Sequence, residues 1–457
     1  MEGRKDMVVE DGDQNKGWWR YRYLIAAILF FAYSIQYLDR IKTTALIPMI
    51  RSSINLDYAD IGNGIFLMMV FYGPAQFVSG MLCDKYGPKK VLVFSLVSWI
   101  ALTVWMAYMQ NSIEWYVRSA VFGLTVGTEF VPSARLLARW FPPKQRAQAQ
   151  SSLSWAWILT PAWAAIVATQ LATFFGDWRP VFLVVAAVAV LPLVLILLFI
   201  KDRPEKCKSV SECELRESYA DELAEGTMLT RNIEERTLSD TVRNRYKVPL
   251  WTILTYPGFI AVTLIDVTMQ MMFWGVIAWS PTYLKEIFKF SLVNMGYWAS
   301  VYFAAGVLGS FVSSWVSDNI FHGKRRPMIA MCFLGTIPCI LILSQLPPGV
   351  SQFTLLAVLA GAGFFANMGW GPFLAWPADV FSAEVYGKAM GFMQMFGYIG
   401  GAFCPLIMSR LIRTSPAGAD YTYAWIFVAC CALAGLLCAF MVRDKKMPAP
   451  QGAHGIG

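Results

Sequence analysis

The chain has 457 residues, of which 57% are hydrophobic and only 15% charged, with a formal net charge of +8 and a positive mean hydropathy. A soluble protein of this size carries about a quarter charged residues, so the composition excludes a soluble globular protein and points to a polytopic membrane protein. The basic residues gather in short loops between apolar runs, which fits membrane orientation and not a nucleic-acid partner.

The first 21 residues are polar and show no cleavable signal pattern, so the first apolar run is expected to be retained. About 20 mostly apolar residues span the hydrocarbon core. Twelve such runs follow in order: 22–49, 61–83, 90–110, 114–140, 148–173, 177–200, 254–284, 293–317, 327–346, 352–380, 387–411 and 422–442. Between the sixth and seventh lies a charged, aromatic-poor segment that reads as a solvated linker. The expected plan is an all-α membrane protein: tail 1–21, six-helix bundle 22–200, linker 201–253, six-helix bundle 254–442 and tail 443–457.

Orientation follows from the short loops. One side carries Lys85, Lys89 and Lys90, then Lys144 and Arg146, then Lys324, Arg325 and Arg326, and finally Arg443, Lys445 and Lys446. The loop 344–351 on the opposite side has no basic residue. Both tails and the linker are therefore expected in the cytoplasm, where Cys207 and Cys213 stay reduced, while most of the nine cysteines lie inside apolar runs as small hydrophobic residues. They form no Cys-x-x-Cys pair, and with His322 and His454 as the two histidines no metal site, cofactor or nucleophile–base pair is expected.

The two bundles echo each other. After the second span come Gly80, Asp84, Lys85, Gly87, Lys89 and Lys90; after the eighth come Asp318, Gly323, Lys324, Arg325 and Arg326. In each copy an aspartate at a helix end precedes a glycine turn and a basic cluster. Such an aspartate can meet a helix N-terminus or an arginine and latch the cytoplasmic side. With this order repeated at equivalent places, the chain resembles the major facilitator superfamily over essentially its full length. The resemblance implies two six-helix bundles around a central cavity, alternating access, and a substrate site near the midplane.

"QYLDRIK" at 36–42 puts three charges in the first span, and Glu129 lies near mid-depth of the fourth. Ionisable groups inside a membrane are costly and functional by default. Arg40 offers a planar donor fork suited to a carboxylate, while Asp39 and Glu129 are carboxyls that can carry protons. A fixed cation beside two such acids supplies a physical basis for proton coupling. Lys42, at i+3 from Asp39, can pair with it along one helix face. The alternative is a static ion-pair cluster that only holds helices together. Arg118, Arg135 and Arg139 lie nearer the helix ends and suit structural or gating roles.

"YLDR", "GTEFVPSARLLARWFPPKQRAQA" and "GDWRPVF" are similar to the anion:cation symporters of sugar acids and other organic anions. That resemblance implies proton coupling at Asp39 and Glu129 and carboxylate binding at Arg40. "AWSPTYLKEIFKFSL" at 278–292 resembles the organophosphate:phosphate antiporters, but their second arginine falls at about Phe273 here and their fifth-span histidine near Trp157. A phosphate dianion wants two fixed cations, so the departure favours a carboxylate.

The remaining pocket candidates are Tyr33, Gln36, Tyr37, Tyr72, Gln76, Trp157, Gln270, Phe273, Trp274, Asn367, Gln394 and Tyr398, with Asp266 one turn before Gln270. Amides and phenols suit the hydroxyls of a sugar acid; the aromatic rings suit an aromatic carboxylate, and Lys42 keeps a sulfonate in view. The expected protein is thus a monomeric, proton-driven carrier of a small organic anion, in a lipid bilayer identified as a bacterial inner membrane. A non-transporting anion sensor is the reading from a different class.

Overall fold

Lipid offers a bare peptide group no hydrogen-bond partner, so apolar runs of this length satisfy their backbones internally as helices. The computed structural model describes residues 20–204, 207, 254–255, 258–322, 324–380, 383–416 and 418–442. Most of both tails and nearly all of the linker lie outside the described residues, as do Gly323, Arg443, Lys445, Lys446 and the side chains of Asp84, Lys144 and Arg146.

The amino-terminal half contains α1 (Tyr21–Ala45), its continuation α2 (Ile47–Ile54), α3 (Tyr58–Tyr86), α4 (Pro88–Met106), α5 (Ser112–Val126), α6 (Phe130–Trp140), α7 (Pro143–Phe175) and α8 (Arg179–Phe199). The carboxy-terminal half contains α9 (Phe259–Ile287), α10 (Leu292–Asn319), α11 (Arg326–Gln345), α12 (Gln352–Met368), α13 (Trp370–Val380), α14 (Ala383–Leu411) and α15 (Thr422–Met441). A short antiparallel hairpin, β1 (Arg413–Ser415) with β2 (Gly418–Asp420), joins the last two helices. Several helices start on side-chain caps. Asp57 and Asp60 form a reciprocal capping box on α3, and Ser291 and Ser351 cap α10 and α12.

Among the described residues, eleven helices are long and apolar enough to cross a membrane. The twelfth expected span, 114–140, is broken between α5 and α6. Pro132 has no N–H to give the carbonyl four residues earlier, that of Thr128. Ser79 of α3 supplies the missing donor to that carbonyl at 2.8 Å. Two residues earlier, the amide of Gln36 in α1 donates to the Val126 carbonyl at 2.8 Å. The break is thus stapled by two neighbouring helices, and Glu129 sits in it.

The halves repeat the same packing. In the first, α1 lies on α7, α3 on α5 and α4 on α8; in the second, α9 lies on α14, α10 on α12 and α11 on α15. The equivalent of the α5–α6 break is the one between α12 and α13 at Gly369, again three residues before a proline, Pro372. Helices α3 and α5 approach so closely that any side chain at Gly123 would strike the Met68 carbonyl. Across the molecule, α3 meets α14 and α7 meets α10.

The outer ends of the halves are joined by one carboxylate. Glu286 of α9 accepts from Arg51 of α2 at 2.6 Å, from Tyr58 of α3 at 2.6 Å and from Tyr421 at 2.7 Å. Arg51 also lies over the Tyr58 ring at 3.9 Å. Both charged groups are partly exposed, so the pair contributes about 1 kcal/mol. Glu286→Ala should weaken this contact between the halves about fivefold, read as faster labelling of a reporter cysteine placed beside it.

On the opposite side Gly87 links α3 to α4 with φ of 86°, a left-handed value that favours glycine. The Asp202 carboxylate packs against it and accepts from the Lys89 backbone N–H at 2.8 Å. The Lys89 ammonium caps the Leu197 carbonyl of α8 at 3.0 Å, while Lys90 is exposed. Gly80 of the same motif lies against Val131 and Arg135 of α6. In the second copy Arg325 pairs with Asp318 at 2.5 Å and donates to Ser317 at 3.1 Å. In the second copy the aspartate thus meets an arginine, one of the two kinds of partner expected from the sequence.

Candidate substrate and proton site

Arg40 lies past the middle of α1, in its last two turns, and is almost wholly buried. Its guanidinium stands over the rings of Tyr72 at 4.2 Å, Tyr37 at 4.9 Å and Trp274 at 5.9 Å. These rings come from α3, α1 and α9, so the cation is held by aromatic faces from both halves. Its Nε and Nη2 have no hydrogen-bond partner among the described residues. Arg40 also borders two small cavities, one lined by Met69, Tyr72, Trp274 and Tyr398, the other by Thr43, Thr44, Met68 and Phe122. A planar fork left open in a dry site is built to receive two oxygens of an anion.

Glu129 occupies the break between α5 and α6 and is buried, with neither carboxyl oxygen hydrogen-bonded among the described residues. Arg40 and Glu129 are thus two buried ionisable groups with open polar atoms, and they form no salt bridge with each other.

Asp39 is arranged differently. It pairs with Lys42, as the i+3 spacing suggests, and also accepts from the Trp99 indole at 2.8 Å and the Thr103 hydroxyl at 3.0 Å. Both partners on α4 belong to the amino-terminal half, and Lys42 in turn lies over the Phe182 ring of α8 at 3.5 Å. The Asp39 carboxylate is thus saturated inside its own bundle, whereas Arg40 faces the opposite half. Asp39 and Lys42 thus form the pair that their spacing suggests, and Arg40 stands apart from it. Removing one member of a buried pair costs about 3–5 kcal/mol. Asp39→Asn should therefore lower the melting temperature in detergent by several degrees, and Lys42→Met in addition should recover part of the loss.

The other pocket candidates fall into two groups. Tyr33 packs on Tyr37 at 5.4 Å, and Tyr72 on Tyr398 of α14 at 4.5 Å, forming a tyrosine cluster around Arg40. Trp157 of α7 meets Phe273 at 5.6 Å and Trp370 at 5.0 Å, so these three rings join the halves at mid-depth. Three of the amides each have one polar atom bound to the protein itself. Gln36 serves the Val126 carbonyl, Asn367 donates to the Gly363 carbonyl at 2.9 Å, and Gln270 accepts from the Trp274 indole at 3.1 Å. Gln76 and Gln394 lie half-buried on α3 and α14. Asp266 is buried against Gly397 with neither oxygen hydrogen-bonded among the described residues.

Sequence reasoning missed Trp99 and Thr103 as partners of Asp39, Asp202 as the partner of the first loop motif, and the Arg51–Glu286 link. Each depends on which helices meet. Only the proline and glycine flanking Glu129 were a local signal, for the helix break. Of the arginines given structural roles, Arg118 donates to Glu114 and to the Trp105 carbonyl, each at 2.5 Å.

Two equivalent bundles joined around an open buried arginine define a membrane transporter of the secondary type. The family model for the Major Facilitator Superfamily matches residues 29–321 and 294–455, and the chain belongs to that family. It is 25% identical to the glycerol-3-phosphate transporter of Bacillus subtilis (strain 168), covering 88% of this chain and 89% of that one. It is also 25% identical to a protein of Escherichia coli (strain K12) named as a probable galactarate/D-glucarate transporter, GarP, covering 96% and 99% of the two chains. Among solved structures, the D-xylose-proton symporter superposes with a TM-score of 0.72 at 14% identity, over 93% of this chain and 100% of that one, a likeness of fold. The two resemblances noted in the sequence, to sugar-acid and to organophosphate carriers, both have counterparts among these relatives, and the chain is a multi-pass membrane protein.

Proposed function

We propose that the chain is a proton-coupled symporter of a small organic anion, working by alternating access in a bacterial inner membrane. The observation that carries this reading is that two buried ionisable groups stay open among the described residues: Arg40 with two unpartnered guanidinium nitrogens, and Glu129 with two unpartnered oxygens. An anion arriving on Arg40 brings a negative charge into the buried interior, and a proton taken up by Glu129 offsets it. The loaded site then carries no net added charge, which lowers the cost of closing the halves over it. Asp39 supports this site indirectly, by fixing α1 against α4.

Exchange of organophosphate for phosphate is the second reading, favoured by the "AWSPTYLKEIFKFSL" segment. Against it stands the charge count: Phe273 occupies the position of a second arginine, and Lys42 is committed to Asp39. The test is proton movement itself. Adding the carboxylate outside weakly buffered proteoliposomes that hold the protein should make the medium more alkaline, mole for mole with anion entry. Binding without any flux would mark a sensor instead.

A further inference from the structure

We propose that the transported anion is a monoanion carried on a flat aromatic body, held by Arg40 at its charged end and by the Trp157–Phe273–Trp370 cluster along its rings. The proposal rests on the symport reading and names its substrate class. Three observations lead to it.

The first is charge. Among the described residues, Arg40 is the buried cation that faces both halves, since Lys42 is bound to Asp39. One guanidinium balances one negative charge, and a dianion would bring a second charge into the same dry space without a partner.

The second is the continuity of the aromatic surface. From Arg40 it runs through Trp274 at 5.9 Å, then Phe273 at 5.7 Å from Trp274, then Trp157 and Trp370. Neighbouring rings in this run meet nearly at right angles, 86° for Phe273 on Trp274 and 84° for Trp157 on Trp370. This is the favoured edge-to-face arrangement. Trp157 belongs to the amino-terminal half and the others to the carboxy-terminal half. When the halves part, those contacts open and aromatic faces lose their cover. A flat apolar body entering the gap restores it, while a polyol leaves the rings bare.

The third is the state of the amides. Gln36, Gln270 and Asn367, which a sugar acid would use for its hydroxyls, each already have one polar atom bound to the protein, which leaves a polyol fewer partners than the water it gives up.

The test compares 4-hydroxybenzoate with D-galactonate, two carboxylate monoanions that differ in their bodies. Calorimetry on the full chain in detergent should find 4-hydroxybenzoate bound at least about tenfold more tightly, and both are then followed into proteoliposomes with protein-free vesicles as the blank. Trp370→Ala should weaken the aromatic acid about tenfold or more and galactonate less than twofold, with Trp370→Phe recovering most of the loss. Phe273→Leu, which keeps apolar volume and removes the ring, is the parallel variant should Trp370→Ala not fold. Equal or tighter binding of galactonate, or ring variants that leave the aromatic acid unaffected, would overturn the proposal. If galactonate is carried with protons and 4-hydroxybenzoate is not, the aromatic assignment fails and symport stands. If neither acid moves under a proton gradient, both fail.

Discussion

Arg40→Ala should abolish anion binding and leave a folded protein. Truncating one side of a buried charge-assisted contact costs about 2–5 kcal/mol, so affinity should fall about 30-fold or more. Folding should survive because Arg40 makes no ion pair within the protein among the described residues and its Nε and Nη2 are unpartnered. The variant gives up contacts with the Tyr37, Tyr72 and Trp274 rings but strands no opposite charge in a pair. Arg40→Lys should rescue poorly, since a point charge cannot present the same fork. Calorimetric binding together with a melting curve separates loss of the site from loss of the fold.

Glu129→Gln should uncouple transport from protons. One coupled proton supports about tenfold accumulation of a monoanion per pH unit of inward gradient. The variant should reach only an accumulation ratio of about one, while anion exchange between two loaded compartments continues within about threefold of the native rate. Glutamine keeps the shape at the α5–α6 break and carries no titrating group. If Glu129→Gln accumulates anion like the native protein, the proton travels elsewhere; Asp266, buried against Gly397 without a hydrogen-bond partner among the described residues, would be the next carboxyl to examine.

The fold was legible because each span is a long, mostly apolar run, and the lipid leaves such a run one stable backbone arrangement. The internal repeat was legible too, since the loop motifs carry it in residue order. Within the site, adjacency along the chain says little about contacts. Consecutive helical residues point about 100° apart, and here Asp39 meets α4 while Arg40 stands over rings from both halves. The i+3 relation to Lys42 already tied Asp39 to the other face. What no periodicity shows is that Trp99 and Thr103 of α4 would arrive there, because that depends on how α1 and α4 pack. The same holds for Asp202 on Gly87 and for Glu286, which gathers donors from segments far apart in sequence. The helix break was nearer to hand: Gly127 and Pro132 flank Glu129, and a missing N–H at Pro132 must free the Thr128 carbonyl.

The central claim is that a proton and an organic anion enter together, and gradient-driven uptake tests it most directly. Proteoliposomes holding the full chain would be given an inward proton gradient and a labelled carboxylate, with and without a protonophore, and with or without phosphate inside. The account predicts accumulation above equilibrium that collapses when the protonophore is added and is indifferent to internal phosphate. Uptake only of phosphorylated compounds, and only into phosphate-loaded vesicles, would contradict it.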